Sequence, residues 1–288
     1  MDGVGKSTTG LGDAVAAAHT PTLDKLLATC KNVYIKAHGT AVGLPSDEDM
    51  GNSEVGHNAL GCGQVYSQGA KLVEEAIESG EIFNSSAWQE LKNNCVAHGS
   101  AMHFLGLLSD GNVHSNINHL IALIKGAKRD GIKKVFVHVL LDGRDVPATS
   151  ALQYVDMLEN AMAEMNDDSF TAKIASGGGR MTITMDRYFA NWDMVKRGFY
   201  THVYGEGRGF ESATAAIETF RAETPGIIDQ DLPAFVVVKD GKPVGAMHDN
   251  DSVILFNFRG DRAIEISMAF DDKEFSGFDR GNMPKVMY

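Results

Sequence analysis

The sequence predicts an α/β protein with a largely parallel sheet, because one unit recurs along it: an apolar, β-branched run, a short polar loop, then an amphipathic helix. A second observation points the same way, since the runs ending at Leu108, Leu141, Ala175 and Asn257 are each followed by a polar loop and then by a helical pattern, not by a tight hairpin turn. His103–Leu108 reads as a strand, 109–114 as its loop, and 116–128 as a helix. Lys134–Leu141 is the next strand, followed by Asp142-Gly143-Arg144-Asp145 and a helix over 150–164. Ala172–Ala175 is a short strand leading into Ser176, Gly177–Gly179 and Arg180. Val253–Asn257 is another, with the loop 258–262 and a helix to about Phe270. Residues 234–239 and 242–246, joined by Asp240-Gly241, read as a β-hairpin set into this order. Earlier in the chain a helix starts near Val55, with Asn52 or Ser53 as its cap, and 70–79 is helical.

At 288 residues and 43% hydrophobic, the chain can bury the core of one large or two medium domains. The change of character near residues 67–80 is the best boundary between two. A net charge of −12 argues against a nucleic-acid-coating surface, while leaving small anions open as guests. Three cysteines, Cys30, Cys62 and Cys95, form no CxxC pair and read as reduced thiols. Without a signal peptide or a membrane-length apolar run, the expectation is a soluble cytoplasmic protein. The start at Met1-Asp2-Gly3 and the stop at Val286-Met287-Tyr288 read as cut rather than finished ends.

All ten arginines follow residue 128, and Arg144, Arg180, Arg187, Arg259 and Arg262 stand beside glycine or aspartate in predicted loops. In open α/β sheets ligands sit outside the carboxyl ends of the strands, where four units place Ser109, Asp110 and His114; Asp142, Arg144 and Asp145; Arg180; and Arg259, Asp261 and Arg262. Arg187, seven residues after Arg180, is placed two helical turns along. Guanidinium groups hold phosphate and carboxylate bidentately, so a small molecule bearing both is the natural guest. The competing reading for each arginine is an ion pair with Asp142, Asp145, Asp186 or Asp261.

Met50–Asn58 sets the Ser53 hydroxyl between Gly51 and Gly56, with Glu54 and His57 close by. Such a hydroxyl needs a base or a metal to become a nucleophile, and the glycines would let a phosphate approach. The plain alternative is a helix cap. Gly3–Thr8 mimics the end of a P-loop, but its first glycine would precede Met1, so a nucleotide kinase is the weaker idea. The remaining histidines have no metal-ligand spacing, and Met181 and Met185 read as core.

The segments 50–60, 107–115, 140–147, 175–188 and 256–265 strongly resemble the motifs of the 2,3-bisphosphoglycerate-independent phosphoglycerate mutases, in order. The form Gly177-Gly178-Gly179-Arg180-Met181 is similar to the branch of plants and some protists. The resemblance implies an incomplete alkaline-phosphatase-like domain over 1–68 and an inserted transferase domain over 69–288. It implies Ser53 as the phosphoserine nucleophile, Asp2 and Ser53 as ligands of a divalent ion (Mn2+, with Mg2+ or Co2+ as alternatives), and Asp145 as the general acid/base. His114, Arg144, Asp145, Arg180, Arg187, Arg259 and Arg262 would hold 3-phosphoglycerate or 2-phosphoglycerate.

Phosphate would pass to Ser53, the glycerate would turn, and phosphate would return to its 2-hydroxyl while two domains close over it. The implied protein is a monomer of glycolysis and gluconeogenesis that takes a small-molecule substrate, no nucleic acid and no membrane. Family members continue beyond the equivalent of Tyr288 into most of the metal ligands and a lysine. The alternative expectation is therefore a catalytically incomplete chain that only binds phosphoglycerate-like anions.

Overall fold

The computed structural model describes residues 4, 5 and 7–288. It divides into two compact units, 1–71 and 72–288. Asp2, expected as a metal ligand, and Gly3 and Lys6 of the P-loop-like stretch lie outside the described residues.

The described part of the first unit has helices Ala14–Ala17, Pro21–Thr29 and Ser53–Cys62 and a 3-10 turn Gly39–Val42. Its buried cluster is small: Val42, Leu44 and Val55. Val33, Tyr34 and Ile35 are exposed, and the described residues form no strand here.

The second unit carries seven strands: β1 (Met102–Leu108), β2 (Lys134–Leu141), β3 (Thr171–Gly179), β4 (Arg208–Phe210), β5 (Phe235–Lys239), β6 (Lys242–Pro243) and β7 (Ser252–Leu255). Their order is β4-β5-β3-β2-β1-β7, with β6 paired to β5. β3, β2, β1 and β7 run parallel, as expected of strands joined through helices. β5 opposes β3, and the Asp240-Gly241 hairpin opposes β6 to β5.

β3 is longer than its apolar run predicts, because Gly177–Gly179 belong to the strand and not to a loop. A Cβ on Gly177 would meet the Phe235 ring and the Val139 carbonyl at 2.6 Å, so β5 can press against β3 only where side chains are absent. β7 ends at Leu255, two residues short of the expected strand, since the Asn257 side chain instead accepts from the Leu107 amide at 3.0 Å.

Alternation along the strands sorts two cores. Met102, Phe104, Leu108, Val135, Val137, Val139 and Leu141 face one, under helices Ile117–Arg129, Ala151–Met165 and Ala213–Glu223. Leu105, Leu107 and Leu140 face the other, with Phe199 of helix Trp192–Tyr204 and Ile266 of helix Ile264–Asp271. Met185 joins this second core, but Met181, expected there too, is exposed.

The second core also contains a buried polar row. His103 Nε2 meets Asp251 Oδ2 at 3.1 Å, and His103 Nδ1 meets His138 Nε2 at 2.9 Å. His138 Nδ1 meets Ser176 Oγ at 2.7 Å, Ser176 Oγ meets His202 Nδ1 at 2.9 Å, and His202 Nε2 meets Thr184 Oγ1 at 3.0 Å. Burial lowers the His202 imidazole from 6.5 to about 3, and lowers His138 well below its ordinary value.

The unfolded chain binds protons at these rings near pH 6.5 while the folded chain does not. Their contribution is thus full above pH 6.5 and is lost as pH falls toward 3. The expected outcome is an unfolding temperature, followed by circular dichroism, that drops between pH 7 and pH 4. His202→Gln should start lower at pH 7 and decline less steeply.

Candidate active site

The carboxyl ends of β1, β2, β3 and β7 bring together the histidine-bearing loop 109–116 and the three loops that carry Arg144, Arg180 with Arg187, and Arg259 with Arg262. Asp142, the first residue after β2, organises them. Its carboxylate accepts from Ser109 Oγ at 2.6 Å and Arg180 Nη1 at 2.8 Å, and from the amides of Arg144 and Asp145 at 3.2 and 3.1 Å. The last two bonds are an Asx turn, which explains why Asp-Gly-Arg-Asp folds back at this point.

Arg180 is 2% exposed and serves as the central cation. Besides Asp142 it donates to Asp145 Oδ2 at 2.5 Å and, through Nη2, to His114 Nε2 at 2.8 Å. Its competing reading as an ion-paired residue is the geometry found, although the partners are themselves rim residues.

His114 is held below β1 by its own carbonyl, which accepts from the Phe258 amide at 2.8 Å. Burial, then the charges of Arg180, Arg259, Arg262 and Arg144, drive its imidazole down to about 2. The neutral ring accepts at Nε2, so its proton sits on Nδ1. Nδ1 lies 3.8 Å from Asp261 Oδ1, beyond hydrogen-bond reach. His114 Nδ1, Asp261 Oδ1 and Arg180 Nε are buried and have no hydrogen-bond partner among the described residues. Buried polar atoms in native sites are nearly always satisfied, so three in one cluster mark a place for a polar guest.

Asp261 Oδ2 gathers Arg259 Nη2 at 3.2 Å and Arg187 Nη1 at 3.7 Å. Arg187 arrives on a loop rather than on the helical turns the sequence predicts, because Thr184, Tyr188 and Phe189 all adopt positive φ. Each such residue costs about 1–3 kcal/mol and must be held by its surroundings. Two carboxylates do so: Asp186 Oδ2 accepts from the Asn191 amide at 2.5 Å, and Glu265 Oε1 from the Phe189 amide at 2.9 Å. Burial, together with Asp186, raises the Glu265 carboxyl.

Arg262 donates to the Met185 carbonyl at 2.6 Å. Burial, then the charges of Arg187 and Arg180, lower its guanidinium. Arg144 is exposed, and Asp145 keeps partial exposure, which makes it the reachable carboxylate beside Arg180.

Ser53 occupies the first turn of helix Ser53–Cys62 and is exposed. Asn52, not Ser53, is the cap: its side-chain oxygen accepts from the amides of Glu54 and Val55 at 3.0 and 3.3 Å. The Ser53 hydroxyl is thereby relieved of that task. Gly51 does not make room for a guest, since a Cβ there would meet the Ala37 carbonyl at 1.8 Å; its bareness lets two stretches of backbone touch. His57 Nδ1 bonds the Ser53 carbonyl at 2.7 Å. Among the described residues no three His, Cys, Asp or Glu side chains are grouped to hold a metal ion, so Ser53 and its neighbours do not by themselves complete a metal site.

Asp142 and Asp261 organise the rim, where the sequence placed them as strand-end residues and as ion-pair partners without giving them that organising part. Tyr154, which donates to Asp110 Oδ1 at 2.6 Å, and Glu265 were missed. Asp142 had a local signal in its Asx-turn spacing, whereas Tyr154 and Glu265 sit in ordinary helical patterns.

The family model described as BPG-independent PGAM N-terminus matches residues 73–288. The chain belongs to this family. It is 56% identical over 290 residues to a probable 2,3-bisphosphoglycerate-independent phosphoglycerate mutase of Leptospira interrogans, covering 100% of this chain and 53% of that protein. The enzyme of that name from Trypanosoma brucei brucei is 50% identical over 290 residues, with the same coverage. A crystal structure of Leishmania mexicana phosphoglycerate mutase at low cobalt concentration matches with a TM-score of 0.95 and 49% identity, covering 100% of this chain and 53% of that one. The chain thus spans about half the length of the family members it matches. As expected, its sheet is mostly parallel. Among the described residues no helix is long and apolar enough to cross a membrane.

Arg180→Met leaves Asp142 buried without its cation, and should cost about 3–5 kcal/mol in urea unfolding. Arg144→Ala, at an exposed position, should stay within about 0.5 kcal/mol of the parent. Equal losses would contradict the arrangement.

Proposed function

We propose that this chain supplies the phosphoglycerate-holding rim and the nucleophile of an enzyme interconverting 3-phosphoglycerate and 2-phosphoglycerate. The observation that carries the reading is the cluster of Arg180, Arg187, Arg259 and Arg262 around the unsatisfied His114 Nδ1 and Asp261 Oδ1. Guanidinium forks suit the carboxylate and phosphate of the substrate. The neutral His114 and the Asp261 carboxylate can donate to and accept from its hydroxyls, and Asp145 is the proton carrier for the glycerate oxygens. Arg144 adds an exposed cation.

Ser53 would take the phosphate. Its place in the first turn of a helix favours the added negative charge, because the aligned peptide dipoles give a helix N-terminus partial positive charge. The units 1–71 and 72–288 correspond in this reading to the phosphatase-like part and the transferase domain. A divalent ion, Mn2+ or else Mg2+ or Co2+, would take Asp2 and Ser53 as two of its ligands and supply a Lewis acid. Among the described residues no cluster of three His, Cys, Asp or Glu side chains is grouped to hold it. That donor set favours a narrower second reading, in which these 288 residues bind the substrate without turning it over.

Titration calorimetry should show 3-phosphoglycerate binding to the chain, weakened by about 2 kcal/mol or more, roughly thirtyfold, in Arg259→Ala. No binding by the parent chain would remove both readings. Incubation with phosphoglycerate and Mn2+ should place phosphate on the Ser53 peptide in mass spectra, and Ser53→Ala should abolish it. Binding with an unmodified Ser53 would leave only the second reading.

A further inference from the structure

The buried row that runs from Asp251 to Thr184 has a direction. Asp251 Oδ1 accepts from the Ala101 amide at 2.8 Å and Oδ2 from the His248 amide at 2.7 Å. Against its burial, bonds from His103 and these amides hold its carboxyl below the usual range. An ionised carboxylate only accepts, so His103 Nε2 must donate to it. If each ring carries one proton, every later bond follows. His138 Nε2–H donates to His103 Nδ1, Ser176 Oγ–H to His138 Nδ1, His202 Nδ1–H to Ser176 Oγ, and Thr184 Oγ1–H to His202 Nε2.

Five bonds therefore point one way across β1, β2, β3 and the helix Trp192–Tyr204, and they end on a hydroxyl rather than on another histidine. Bonds aligned in series in a dry core polarise and strengthen one another.

Thr184 is an unusual residue to find at the free end. It is β-branched, fully buried and at φ +66°, a conformation that its own side chain disfavours. Something outside it must hold it there, and two groups do: the Met194 carbonyl, which accepts from its amide at 3.1 Å, and His202. The next residue is Met185, whose carbonyl seats Arg262; three residues on is Arg187, which faces Asp261.

We propose that Thr184, fastened through His202, Ser176 and His138 to Asp251, is a positioning residue for the arginine rim: the row sets the 184–189 loop and hence where Arg187 and Arg262 stand. No member of the row touches the guest cluster itself. The consequence for ligand affinity rests on the phosphoglycerate reading, whereas the placement of the guanidiniums does not.

The test uses the intact 288-residue chain, with Thr184→Val, which keeps the shape and removes the hydroxyl, Thr184→Ser, which keeps the hydroxyl, and Ser176→Ala, which cuts the row inside β3. Long-range 15N spectra of the parent should show Nε2–H on His103 and His138 and Nδ1–H on His202. The Nε–Hε resonances of Arg187 and Arg262 should move in Thr184→Val and in Ser176→Ala, and stay in Thr184→Ser. Binding of 3-phosphoglycerate should weaken about tenfold in the first two and stay within about twofold in the third, since small misplacements of binding groups are costly. Any other tautomer pattern, or guanidinium resonances indifferent to both hydroxyl deletions, overturns the proposal. A parent chain that binds no 3-phosphoglycerate fails the functional reading alone, because the resonances still decide the positioning.

Discussion

The buried contact between Asp142 and Arg180 is the constraint on which the site in the second unit depends. A carboxylate and a guanidinium out of water are each unstable alone, and they persist together only when their remaining donors and acceptors are used. Asp142 meets that demand with Ser109 from the end of β1 and two amides of its own loop; Arg180, leaving β3, meets it with Asp145 and His114. The ends of three adjacent strands are thereby fixed by one set of bonds. The β7 loop joins through the Phe258 amide on the His114 carbonyl. The elements that surround a guest are thus held by charge compensation among themselves before any guest arrives.

That compensation is incomplete by design of the residue mix. His114 is kept neutral by burial and the surrounding cations, and the Arg262 guanidinium is disfavoured by the same neighbours. An anion entering the cluster relieves repulsion that the protein alone retains, so binding energy is drawn from the rim's own electrostatic discomfort as well as from new hydrogen bonds. The first unit contributes chemistry of another kind: an exposed hydroxyl at a helix start whose capping duty is carried by Asn52.

Much of this was legible in the sequence. Strand and helix positions followed from apolar periodicity to within a few residues, because each run is bounded by its own polar loop. The arginine loops were visible because three of them share a pattern and strand ends in parallel sheets point the same way. What stayed hidden depended on distance along the chain. His103, His138, Ser176 and His202 are brought into line by strand register and helix placement, and spacings of 35, 38 and 26 residues leave no local signature. Arg180 looked like its neighbours in composition yet is buried, since a neighbouring aspartate on another loop decides that. Gly177–Gly179 looked like a loop because glycine carries no side-chain pattern to reveal a strand.

The glycine seam in β3 also sets a size limit. Where β5 leans on Gly177 the sheet reverses direction, so β5 and β4 deliver their carboxyl ends to the opposite edge of the sheet. Only β3, β2, β1 and β7 face the cluster, and three gaps between neighbouring strands span roughly 14 Å. The strand ends beyond these four carry none of the cluster's residues, so the cluster is confined to that width. The reversal of one strand thus acts as a molecular ruler, drawn by three missing side chains.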